Sequence, residues 1–252
     1  MIGEVLGHYR VVSQIGAGGM GVVYRARDEF LHRDVALKVL AQGSVDDESS
    51  REYLLHEARA SSSLSHPNIC TIHEVGEFHG EFYIVMELVE GKTLRDLIGN
   101  LGLPIETILR YGVQIAGALA HSHARSTVHR DLKSANVVVT PQGLVKVLDF
   151  GLARRLLRAA FDEATRTLGP LENSDQVVGT LPYMAPEVLR GEEGDHRSDL
   201  WALGVILYEA ATGQLPFRGR TSFEIGSAIL HEGRNHSPRA YRQVCRASSN
   251  AA

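Results

Sequence analysis

The sequence predicts an α+β protein built in two parts. A mostly antiparallel sheet with one helix occupies the first ~90 residues, and a mainly helical part follows. Three observations lead there. Apolar residues alternate through the first forty positions and again across 70–86, as in half-buried strands. Past Gly91 the apolar spacing becomes helical. Proline and glycine then mark the joins, with Pro67, Pro104 and the Pro141-Gln142-Gly143 turn falling between apolar segments.

Tyr9, Val11 and Ile15 lead into a glycine cluster. Val22, Val23, Tyr24 and Ala26 follow it, and then Val35 to Leu40, giving three strands joined by a Gly-rich turn and a short charged loop over 28–34. Acidic residues crowd the start of 45–65 and favour a helix dipole there. Leu54, Glu57 and Ala58 lie on the face expected to meet the sheet, and Glu52 and Glu57 are candidate charge partners. Cys70–Glu77 and Phe82–Met86 read as two more strands. Pro104 opens a helix whose buried stripe is Ile108, Ile115, Leu119 and His123. The apolar runs around Pro141-Gln142-Gly143 suggest a small hairpin, and 151–183 reads as a long polar loop. The stretch 200–211 is apolar almost all round, which argues a buried helix.

Composition narrows the function classes. The chain has 252 residues, enough for one large domain or two lobes with separate cores. It is 44% hydrophobic and 22% charged with a net charge of -4, which supplies no basic footprint for nucleic acid or acidic membranes. Cys70 and Cys245 form neither a disulfide framework nor a zinc spacing, so a reducing, cytoplasmic setting is the expectation. The N-terminus lacks the pattern of a signal peptide. The longest apolar run, Leu200–Tyr208, is far shorter than the roughly 18–20 residues of a membrane span, so neither a nucleic-acid partner nor a membrane segment is expected.

Several motifs carry chemistry. Gly16, Gly18 and Gly21 form G-x-G-x-x-G, where missing side chains let backbone N–H groups approach a phosphate. A dinucleotide-binding turn requires a helix after the last glycine. Val22 to Ala26 alternates like a strand, which argues against that reading. Lys38 ends V-A-L-K in a strand pattern and must reach solvent or meet a counter-charge. The stretch V-H-R-D-L-K-S-A-N sets Asp131, Lys133 and Asn136 close together. A carboxylate can accept a hydroxyl proton, an ammonium can neutralise a phosphoryl group, and an amide oxygen can bind Mg2+. Asp149 follows in D-F-G, then Ala185-Pro186-Glu187 after Gly179-Thr180, and Asp199 in S-D-L-W-A-L-G.

In this order the motifs resemble the signature set of eukaryotic-type protein kinases, and the flanking phrases H-P-N-I, V-M-E-L-V-E-G and G-T-L-P-Y-M-A-P-E are most similar to bacterial serine/threonine kinases. The resemblance covers about residues 9–230. It implies a two-lobed kinase fold: an N-lobe of antiparallel sheet plus one helix over 9–86, a hinge over 87–91, a mainly helical C-lobe over 92–233, and an atypical, disordered tail over 234–252. The resemblance implies ATP and Mg2+ as cofactors, and transfer of the γ-phosphoryl group to Ser/Thr hydroxyls of protein substrates, with autophosphorylation through transient self-association. The alternative is a shortened ATP-binding protein with little turnover.

Carried over residue by residue, Gly16, Gly18 and Gly21 would cover the phosphates, and Ile15, Val23, Ala36 and Val138 would contact the nucleotide. Met86 would guard the back of the adenine pocket, with Glu87 to Val89 as hinge backbone. Lys38 would hold phosphates and pair with Glu57. Asp131 would be the catalytic base, Lys133 would meet the transferring group, and Asn136 and Asp149 would hold the metal. Arg130 would be the docking point for a phosphate on the loop that holds Thr165, Thr167 and Ser174, with Ser174 the expected acceptor. Thr180 would support the substrate hydroxyl site.

Two departures from the family pattern stand out. Ser61, four residues past Glu57, occupies a position where many kinases carry a larger apolar side chain, which implies a looser helix. The pattern also fades after about Gly233, so the last C-lobe helices are expected to be missing. Glu187 would then lack the family's late arginine partner, since Arg234, Arg239, Arg242 and Arg246 fit no such pattern.

Overall fold

The computed structural model describes residues 1–18, 21–40, 55, 57–150 and 179–232. Six strands form the first sheet: β1 Val5–Leu6, β2 Tyr9–Gly18, β3 Gly21–Asp28, β4 Arg33–Leu40, β5 Ile72–Phe78 and β6 Glu81–Glu87. Their order is β1-β2-β3-β4-β6-β5, and every neighbouring pair is antiparallel. The expected strands are all present, and β1 is an addition too short to show an alternating pattern.

The period-two alternation of β4 assigns its side chains to two clusters. Val35, Leu37 and Val39 join Tyr9, Val11, Tyr24, Tyr83 and Val85 on one face. Ala36 and Leu40 join Ala58, Cys70, Ile84 and Met86 on the other. Lys38 lies between Ala36 and Leu40 on that second face, so the strand delivers its ammonium to the side where the helix packs. That helix, α1, is described at residue 55 and over 57–62, within the span expected from the sequence.

A second, three-stranded sheet has the order β7-β8-β9, with β7 Lys92–Thr93, β8 Val137–Val139 and β9 Val145–Val147. The β8–β9 pair is the expected hairpin, closed by Gly143 N donating to Thr140 O at 2.9 Å. A parallel bridge between Ile69 and Val147 ties the segment leading into β5 to β9.

The rest is helical: α2 Leu94–Ile98, α3 Ile105–His123, α4 Pro186–Leu189, α5 His196–Thr212 and α6 Ser222–Glu232. Pro104 precedes α3 as expected. Ile108, Ile115 and Leu119 are buried, while His123 is only half-buried because its ring turns toward α5. Helix α5 starts before the apolar run, at a cap where the Asp195 carboxylate accepts from Arg197 N at 2.7 Å, and ends at Gly213 in the left-handed region. Its Ile206 meets Ile115, Leu119 and Ile229 in the largest core cluster. The end of the expected long loop is ordered as a 3-10 turn over Leu181–Tyr183. Thr165, Thr167, Ser174, Glu52, Cys245 and the 234–252 tail with its four arginines lie outside the described residues.

Candidate active site

The segment between α3 and β8 carries the V-H-R-D-L-K-S-A-N residues, and α5 holds it from below. Asp199, 1% exposed, accepts from the backbone N–H of His129 at 2.8 Å and of Arg130 at 2.9 Å, and pairs with His123 Nε2 at 2.7 Å. Burial by itself would raise the Asp199 carboxyl. The His123 contact, the nearby His129 and the two backbone donors outweigh it and hold the carboxyl below its usual value. This anchor accommodates Arg130 at a left-handed φ of 66°.

Asp131 is the convergence point. Its carboxylate accepts from Lys133 Nζ at 2.9 Å, Asn136 Nδ2 at 3.0 Å and Thr180 Oγ1 at 3.0 Å, and Lys133 also donates to Thr180 Oγ1 at 2.8 Å. Asp131 is 3% exposed, so these donors take the place of water around the charge. The D-F-G segment comes alongside through Leu148 N donating to Asn136 O at 2.8 Å.

Lys38 Nζ reaches across to Asp149 Oδ2 at 2.9 Å. Burial pushes the Asp149 carboxyl up, but the Lys38 ammonium dominates and holds it below the ordinary carboxylate range. The expected partner of Lys38 was Glu57. The structure gives Glu57 a contact with Arg130 NH1 at 3.4 Å instead. Arg130, anchored by Asp199, presents its guanidinium to α1, and Asp149 takes up the Lys38 ammonium. Arg130 Nε is buried and has no hydrogen-bond partner among the described residues.

The other expected residues sort into groups. Val23 and Val89 pack against the cluster that holds Ala36 and Met86, and Val138 is buried on β8. Ile15 is half-exposed on β2, outside that cluster. Gly21 has a packing reason of its own, because a Cβ there would stand 1.9 Å from Val39 O. At Gly18 a Cβ would meet nothing within 4 Å. Glu87, at the end of β6, accepts from Lys146 Nζ at 2.8 Å and from Thr71 N at 3.3 Å, which ties that strand end to β9.

Several contributors had no visible sequence role. Asp199 was legible as part of a motif, but nothing near it in sequence shows that it holds residues 70 positions away. Tyr183 OH donates to Glu209 Oε2 at 2.6 Å and meets Ser134 Oγ at 2.9 Å, linking the 3-10 turn, α5 and the Asp131 segment. Glu187, expected to need an arginine, accepts from Ser198 Oγ at 2.8 Å. Cys70 lies behind Met86, where burial pushes its thiol up to about 12 and keeps it unreactive.

Asn136 and Asp149 offer hard oxygen donors. Asn136 spends its amide N–H groups on Asp131, and among the described residues no donor engages its amide oxygen. One carboxylate plus one amide oxygen suits a cation that takes few protein ligands and fills its shell with water and phosphate.

The family model for the protein kinase domain matches residues 9–250. The chain belongs to the protein kinase family. Relatives of this kinase domain include a probable serine/threonine-protein kinase of Clostridium perfringens, 40% identical over 92% of the chain. Others are the serine/threonine-protein kinases PrkC of Bacillus subtilis, 39% identical over 92%, and PknB of Mycobacterium leprae, 39% identical over 89%. The chain spans 33%, 34% and 35% of the length of these three, about a third in each case. The two-part α+β architecture of the kinase domain agrees with the family assignment. Among its described residues no helix is long and apolar enough to cross a membrane.

Proposed function

We infer that this kinase domain transfers the γ-phosphoryl group of ATP to serine and threonine hydroxyls of proteins. The carrying observation is the convergence of Lys133, Asn136 and Thr180 on the Asp131 carboxylate, together with the Lys38–Asp149 pair, whose carboxylate also feels the Lys133 ammonium. Asp131 accepts and orients the proton of the acceptor hydroxyl. Lys133, already within reach of that carboxylate and of Thr180, offsets charge on the transferring group. Lys38 projects from within β4 and rests its ammonium on Asp149, a partner it can exchange for nucleotide phosphates. Mg2+, when bound at Asn136 and Asp149, neutralises phosphate charge. The open face of Gly18 gives the phosphates access to backbone, and Ala36, Met86 and Val89 supply apolar contact for the base.

Arg130 fits the role of a phosphate-docking residue. It has a buried donor to spare, and its present contact, Glu57, is an anion that a phosphate would replace. Ser174 is the proposed acceptor, with transient self-association supplying the second copy.

The test is transfer of radiolabelled phosphate from Mg-ATP to the chain itself and to a generic basic protein, with Asp131→Asn as control. Label on Ser and Thr that disappears in the variant supports the reading. Wild-type label no greater than that of the variant overturns it.

A further inference from the structure

Ser61 looked like a weak point in the sequence, a small polar residue where bulk was expected. In the fold its hydroxyl donates to the backbone carbonyl of Phe150 at 2.8 Å, and the residue is only 3% exposed. We propose that Ser61 is a positioning residue for Asp149, locking the backbone on the far side of that carboxylate and coupling it to α1. This rests on the reading of Asp149 as a Mg2+ ligand.

Asp149 adopts a left-handed backbone, φ 58°, which a non-glycine residue holds only when its surroundings over-determine it. Restraints lie on both sides of it. On the N-terminal side, Leu148 N donates to Asn136 O at 2.8 Å, and Leu148 O accepts from His129 Nε2 at 2.8 Å. Asp131 N donates to the other ring nitrogen of His129 at 3.3 Å, which fixes the tautomer with its proton on Nε2. On the C-terminal side the carbonyl of Phe150 is held by Ser61, while the Phe150 ring, 3% exposed, lies 4.6 Å from the His129 ring. The peptide unit before Asp149 is therefore pinned by a side chain from the Asp131 segment, and the carbonyl of the next residue, Phe150, by one from α1.

Ser61 also follows Glu57 by one helical turn, so both leave the same face of α1. A movement of α1 that releases Glu57 from Arg130 must carry the Ser61 hydroxyl with it. An apolar residue at 61 would pack against Phe150, but it would leave a buried carbonyl without a donor. A small cavity bordered by Ser61, Cys70, Ile72, Met86, Asp149 and Phe150 adjoins the residue, with room on the order of one water molecule. Threonine can therefore keep the bond, whereas alanine and leucine cannot. Leucine differs from alanine in supplying bulk.

The experiment compares Ser61→Ala, Ser61→Leu and Ser61→Thr in the full chain. The first readout is hydrogen exchange of the peptide covering 145–150 without nucleotide. The second is the Mg2+ concentration that half-saturates binding of a fluorescent ATP analogue. Ala and Leu are expected to speed exchange and to raise the half-saturating Mg2+ about fivefold, with Thr within about twofold of wild type. Wild-type behaviour of Ala, or of Leu alone as expected of a space-filling role, overturns the proposal. So does a Thr variant as impaired as Ala. The exchange comparison needs no nucleotide, so it judges Ser61 even if the wild type neither binds Mg-nucleotide nor transfers phosphate, results that would defeat the functional reading.

Discussion

Lys38 and Asp149 stand 111 residues apart in the chain and 2.9 Å apart in the fold. The lysine is 7% exposed and the aspartate 21%, so the pair is shielded from water but open on one side. It brings the strand of one part and the D-F-G segment of the other onto a single charge contact. Replacing Lys38 by methionine leaves burial as the dominant influence on Asp149, so its carboxyl titrates higher. Phosphate transfer is expected to fall at least about hundredfold, since the variant loses both the ammonium proposed to bind phosphate and the field that keeps Asp149 ionised. Initial rates at saturating ATP check this.

The Glu57–Arg130 contact occupies the residue proposed to receive a phosphate. Progress curves of wild type with Mg-ATP are therefore expected to show a lag, shortened by preincubation with Mg-ATP. Arg130→Gln should show no response to preincubation. Equal responses in the two proteins would contradict a docking role.

Thr180 is 3% exposed, donates to Asp131 and accepts from Lys133. Thr180→Ala removes a tie that sets the angle between base and ammonium. A loss in kcat of about tenfold is expected, equivalent to about 1.4 kcal/mol, with KM for ATP little changed. Thr180→Ser keeps the hydroxyl and should recover most of the rate.

Asp199 gives the fold an acid-sensitive anchor. Its carboxyl is lower in the folded protein than in the unfolded chain, so its contribution to stability is complete above the unfolded value of about 3.9. That contribution is lost as pH falls from there through the folded value. The groups facing it are His123, at 2.7 Å, and the backbone N–H groups of His129 and Arg130. Asp199→Asn is expected to lower the thermal midpoint at pH 7 and to flatten its fall below about pH 4, as thermal melts across pH would show.

Much of the chemistry was readable because it is local. Asp131, Lys133 and Asn136 lie within one short segment, and Lys38 sits in a strand whose alternation fixes its direction. What was not readable depends on contacts between distant segments. The partner of Lys38 is set by where Asp149 arrives against β4, and that of Glu57 by where Asp199 pins Arg130. Ser61 shows the limit most clearly. As a residue type it predicted a loose helix, whereas in the fold its hydroxyl meets a carbonyl 89 residues away. Glu187 is similar: its observed partner, Ser198, is a small hydroxyl with no sequence signature.

The most direct measurement is the rate of γ-phosphoryl transfer from Mg-ATP to serine- and threonine-containing peptides, with acceptors identified after hydrolysis, for wild type beside Asp131→Asn. The account predicts phosphoserine and phosphothreonine from the wild type and a loss of at least about hundredfold in the variant. Equal rates in the two proteins, or no transfer by a wild type that melts cooperatively and binds Mg-ATP, would contradict it.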